Sequence, residues 1–208
     1  MSLVSRDRWN KLCEAVGARR DADACFERLT AAYSEPHRRY HNLRHIAECQ
    51  QEFETVRARV SSPESIELAI WFHDAVYDTK AGDNEERSAK WAADFLVSGG
   101  ATSSLAEQVS NLVLATKKHD VHLDSGAPVL VDVDLSILGQ SEKRFWEYET
   151  QIRAEYSWVD ATTFAEKRAE ILETFLKRER IYATDWFFER YESQARKNLQ
   201  ASIDRLRS

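Results

Sequence analysis

Apolar residues recur at three- and four-residue steps along most of this 208-residue chain, a spacing that favours helices. From Ser5 to Val16, Trp9, Leu12, Cys13 and Val16 share one face, and from Asp21 to Tyr33 so do Ala22, Cys25, Phe26, Leu29 and Tyr33. Ser34-Glu35-Pro36 ends the second segment, because a residue before proline avoids the helical region. A third helix is expected from Leu43 to Val60, and a fourth opens at Ser62-Pro63 with serine as cap and proline in the first turn. The acidic run Asp83-Asn84-Glu85-Glu86 starts a fifth that ends near Gly99-Gly100, and the capping pattern Ser104-x-x-Glu107 starts a sixth that reaches Lys118. His119 to Pro128 reads as a loop, and Val129 to Leu135 reads equally as a strand or a short helix. Three more helices are expected over 141–157, 162–180 (capped by Thr163-x-x-Glu166) and 184–206. Six Gly and three Pro are too few for an all-β chain of tight turns. With no repeat, linker or compositional break, the expectation is one all-α domain over 1–208.

Net charge is −6 and the pI about 5.6, which gives no support to a nucleic-acid groove. Cys13, Cys25 and Cys49 form no C-x-x-C pair and are odd in number, so each is expected to pack as a small apolar residue in a reducing compartment. The stretch Met-Ser-Leu-Val-Ser-Arg-Asp-Arg has no signal-length apolar run, and no uncharged run approaches the roughly 18 residues of a membrane span. A cytoplasmic location follows by default.

His73-Asp74 stands in the run Ile70-Trp71-Phe72-His73-Asp74-Ala75-Val76-Tyr77, apolar enough to be buried and read as part of the fourth helix. Burying a carboxylate there costs several kcal/mol unless a cation compensates it. Imidazole and carboxylate are natural donors for such a cation. Two further clusters qualify. His41 and His45 lie four apart, on one face if both are helical; they serve either as surface or cap residues or as groups flanking a metal-bound water. Asp132 and Asp134 repeat the anomaly of a carboxylate in an apolar run, and Asp134 also suits a helix cap. Such a mixed nitrogen and oxygen set suits Mn, Fe, Zn, Ni or Mg.

The order His45 … His73-Asp74 … Asp134 in an all-helical chain resembles the HD-domain superfamily of metal-dependent phosphohydrolases. Tyr40-His41-Asn42-Leu43-Arg44-His45 is similar to a motif of the class I cyclic-nucleotide phosphodiesterases, and Asp134-Leu135-Ser136 matches their Asp-Leu-Ser run. The whole pattern, over residues 36 to 140, is most similar to bacterial proteins known only as predicted HD phosphohydrolases. The resemblance implies an HD-type bundle of about eight to ten helices, with residues 141–208 packing on the metal-site core. It also implies a ligand set of His45, His73, Asp74 and Asp134, and selects Asp134 over Asp132. His41 becomes the acid that protonates the leaving oxygen, and Asp74 also orients the attacking water.

The chain departs from the two-metal members where their additional His-Glu is replaced by Asn84-Glu85. One firmly bound divalent metal is therefore expected, with any second held weakly. Glu85 is either a catalytic acid or base or only the cap of its helix. His119 and His122 fall near a later histidine of the family, or face solvent. Arg38, Arg39, Arg44, Lys117 and Lys118 are candidate phosphate contacts, and Tyr77 and Trp71 either stack on substrate or belong to the core; Arg44, Lys117, His119 and Tyr77 form the preferred substrate set. The implied partner is a small phosphorylated molecule, with a nucleotide among the candidates, rather than a nucleic-acid polymer or a membrane. Monomer and homodimer both remain open. Two alternatives stand beside hydrolysis: a metal-stabilised nucleotide sensor without turnover, and a di-iron oxygenase, which Asn84 disfavours.

Overall fold

An apolar segment with no polar face has to be surrounded, and the fourth predicted helix is such a segment. In the computed structural model, which describes residues 3–208, it is α4, Pro63–Phe72, and every residue from Ser65 to Phe72 is buried. Met1 and Ser2, the start of the stretch read above for a signal segment, lie outside the described residues. Packed against α4 are α1 (Arg6–Ala15), α3 (Leu43–Glu54), α5 (Asn84–Gly99) and α6 (Ser103–Lys118), while α2 (Ala22–Ala32) lies on α1. Trp9 meets Trp71 edge-on at 5.5 Å, and Phe72 and Phe95 extend the aromatic cluster. Glu67, also buried on α4, is held by Arg8 at 2.6 Å and by Arg57.

The described residues form ten α-helices and two 3-10 turns and contain no strand, so the chain is all-α. Val129 to Leu135, open between strand and helix on propensity, falls in α7, Ala127–Leu135. Then come α8 (Glu142–Glu155), α9 (Ala161–Leu176) and α10 (Asp185–Arg207). By packing, the chain divides into two compact units, Met1–Val131 and Asp132–Ser208, with α7 running unbroken from one into the other. In the second unit α10 packs on α9 and on the 3-10 turn Ser136–Gly139. Gly139 is required there, since a Cβ would come within 2.5 Å of the Tyr191 Cβ.

Several expected boundaries shift. The third helix stops at Glu54, and a 3-10 turn over Arg57–Arg59 replaces its last turn. The ninth stops at Leu176 rather than at residue 180. Neither capping box forms as read. The Thr102 hydroxyl, not Ser104, accepts from Leu105 N, and the Asp160 carboxylate, not Thr163, accepts from Thr163 N. Several Ser, Thr and Asp stand near each start, and the backbone entering the helix decides which can reach its free N–H groups. No helix among the described residues is long and apolar enough to cross a membrane.

Candidate metal centre

Asn42 caps α3 by accepting from Arg44 N at 2.9 Å, which starts the helix one residue after the cap and puts His45 and Cys49 one turn apart on a buried face. Tyr40, itself buried, packs its ring 4.7 Å from the His45 ring and 4.9 Å from that of His41. His73 comes from the end of α4. Its N–H still bonds Ala69 O at 2.9 Å, but Asp74 lies beyond the helix, so the pair ends the helix rather than standing within it. The reason is Arg38. Its guanidinium donates to the carbonyls of Asp74 (2.6 Å), Ala75 (3.0 Å) and His41 (3.2 Å) and to the Glu35 carboxylate (3.0 Å), which lets the chain leave the helix without stranding buried acceptors. Arg38 thus holds the site's backbone, with its donors directed at protein groups rather than at a phosphate.

The donor geometry is tight. His45 Nε2 and His73 Nε2 face each other at 3.0 Å, and Asp74 Oδ2 lies 3.1 Å from the latter and 3.6 Å from the former. His73 Nδ1 donates to Ile70 O at 2.9 Å, so its Nε2 is the nitrogen that presents a lone pair. Two imidazole nitrogens and a carboxylate oxygen this close repel unless a proton or a metal ion lies between them. A proton relieves one edge of such a triangle, whereas a metal relieves all three. Donors about 2.1 Å from a common ion lie about 3.0 to 3.4 Å apart at octahedral or tetrahedral angles. The donor set therefore fits a divalent ion.

Burial pushes the Asp74 carboxyl up, but with the rings protonated the charges of His73, His41 and His45 and a hydrogen bond from His73 outweigh it and hold the group well below the usual carboxylate range. The two histidine side chains are 2% exposed and that of Asp74 20%, so solvent reaches the carboxylate side.

One donor atom each from His45, Cys49 and His73 lie within 4.8 Å of one another, a cluster that can hold a metal ion. Asp134 stands in the last turn of α7, the helix that begins in the first unit at Ala127. Asp132 does different work. It is fully buried and accepts from Ala183 N (2.8 Å), Thr184 N (2.7 Å) and Thr184 Oγ1 (2.6 Å), just before α10. Cys49 was missed: read alone it is a small apolar residue, and the available signal was its i,i+4 spacing from His45.

His41 is half-buried, with its ring stacked on Tyr77 at 4.3 Å and edge-on to His45 at 5.9 Å. Tyr77 in turn stacks on His37, and its carbonyl accepts from His37 Nε2 at 3.1 Å. Trp71 is fully buried in the core. Glu85 is half-buried in the first turn of α5, within electrostatic reach of Lys117. Asn84 bonds both backbone groups of Asp78, closing the loop before α5. Arg44 is exposed and pairs with Glu48 at 3.0 Å; Lys117 pairs with Glu86 and donates to Gly82 O at 2.8 Å. His119 ends α6 in the left-handed region, φ 51°, and is half-buried, whereas His122 is exposed.

Fold and site together define an all-helical protein with a candidate centre for a metal ion. No family model, curated protein or solved structure matches the chain.

Proposed function

We propose that the chain is a metal-dependent phosphohydrolase of the HD type that cleaves a phosphate ester of a small molecule, with a nucleotide among the candidates. The observation that supports it most is the triangle of His45 Nε2, His73 Nε2 and Asp74 Oδ2, three donors close enough to share one divalent ion. His45, His73, Asp74 and Asp134 would hold one divalent ion. When bound, that ion would supply a water of lowered pKa and positive charge facing the phosphoryl oxygens. Asp74 accepts a hydrogen bond from the attacking water and so orients it. His41, held between Tyr77 and His45, protonates the leaving oxygen, a task suited to an imidazole whose ordinary pKa is about 6.5. Arg44, Lys117, His119 and Tyr77 are the proposed substrate contacts, and Glu85 a supporting acid or base.

The test is a hydrolysis screen over nucleoside mono-, di- and cyclic phosphates and simple phosphate esters, with Mn, Mg, Co, Ni or Zn supplied. Turnover of one class is expected, with about one metal per chain. His73→Ala and Asp74→Ala should abolish activity and metal together. His41→Ala should lose about 10²- to 10⁴-fold in rate with its metal retained. If His41→Ala loses the metal, the acid assignment is wrong; if no ester is cleaved under any metal, the hydrolase reading goes.

One observation favours a second reading. Cys49 lies among the donors, and thiols are common in closed zinc sites that stabilise a fold without catalysis. In that case the metal would be needed for folding, and nucleotides would bind without turnover or not at all.

A further inference from the structure

We propose that Cys49 is a ligand of the metal, and that its sulfur makes the site select zinc, ferrous iron or cobalt over magnesium and calcium. This rests on the metal-site reading above and narrows it. Cys49 follows His45 by one turn of α3, and its Sγ lies 3.6 Å from His45 Nδ1 and 3.7 Å from His45 Nε2. An ion about 2.3 Å from sulfur and about 2.0–2.1 Å from nitrogen separates those donors by roughly 3.1 Å at a right angle and 3.6 Å at the tetrahedral angle. The near-equal distances place the sulfur beside the imidazole, so a turn of the Cys49 or His45 side chain brings both donors onto one ion, with the His73 donor atom within 4.8 Å.

The other two cysteines provide the contrast. Cys13 and Cys25 are buried away from the site, and burial pushes both thiols up to about 12, as expected of packing residues. Cys49 is equally buried but is the one that faces imidazoles. Its thiolate would make the donor set softer than histidine and carboxylate alone. Magnesium and calcium prefer hard oxygen donors, whereas zinc, iron and cobalt accept sulfur.

The experiment uses the full chain freed of metal, with its helicity checked by circular dichroism, and titrates it with cobalt(II). A near-ultraviolet thiolate-to-cobalt charge-transfer band is expected in the wild type and in Cys13→Ala and Cys25→Ala. Cys49→Ala should lack the band while still binding cobalt, and its preference for zinc over magnesium should fall about tenfold or more. The wild-type spectrum decides the matter even if a variant fails to fold. A cobalt complex without the band, or one unchanged in Cys49→Ala, overturns ligation by sulfur and leaves the metal site standing. No binding of cobalt, zinc or magnesium overturns both readings.

Discussion

Arg38 belongs to a basic run in the sequence, yet its side chain is only 1% exposed. The guanidinium lies 5.1 Å from the ring centre of Tyr33 and 5.4 Å from that of Tyr77, and its donors serve the carbonyls at the end of α4. Removing it strands the Asp74 and Ala75 carbonyls, each at about 1–3 kcal/mol. Arg38→Met is therefore expected to lose roughly 2–5 kcal/mol in denaturant unfolding, and Arg38→Lys to recover little, since one ammonium cannot reproduce the planar fork. A variant as stable as the wild type would remove this role. Neither the carbonyls that Arg38 holds nor the place of Cys49 beside His45 was legible from sequence, for one physical reason. What a side chain does depends on which backbone or ring it meets across the fold, and neither residue's neighbours in sequence disclose that. His73 and Asp74 were legible as candidates because a polar pair in an apolar run is anomalous wherever the chain goes, whereas His45 was a candidate through its spacing from His41 and the family resemblance.

Among the elements, α7 and α10 show where local pattern stops informing. Asp132 and Asp134 stand two apart on α7, and composition treats them alike. In the structure Asp132 accepts the free N–H groups that precede α10, and Asp134 is the one that the proposed metal site uses. Burial pushes the Asp132 carboxyl up to about 6, against hydrogen bonds from Thr184 and Ala183 that lower it. An aspartate in the unfolded chain titrates near 3.9. The folded protein therefore holds this proton more tightly, and the resulting stability is complete below pH about 3.9 and lost as pH rises through about 6. Unfolding followed from pH 4 to 7 should show the wild type losing up to roughly 3 kcal/mol relative to Asp132→Asn, which cannot titrate. A difference that stays flat across that range would show that Asp132 is ionised throughout. Helix positions, by contrast, were largely readable, because an apolar period survives small changes in packing while a cap depends on one side chain's reach.

For the whole molecule, the proposed metal site ties binding to stability, because an ion bound only by the folded chain would stabilise it. At a free concentration about a hundredfold above Kd the gain is about 2.7 kcal/mol, which for a chain of this size corresponds to roughly 5–10 °C in Tm. Calorimetry with and without a chelator should show that drop in the wild type and little or none in His73→Ala at the metal concentration that just saturates the wild type. Identical melts would exclude a tightly bound ion. By itself the sequence determined the all-helical class, most helix positions and the residue types that make a metal site plausible, because periodicity and the cost of burying charge are local facts. Only the tertiary structure decided that His45 and His73, 28 positions apart, face each other at 3.0 Å and that Cys49 stands beside them. That convergence comes from the packing of α3 on α4, where contacts between distant segments outweigh any local preference.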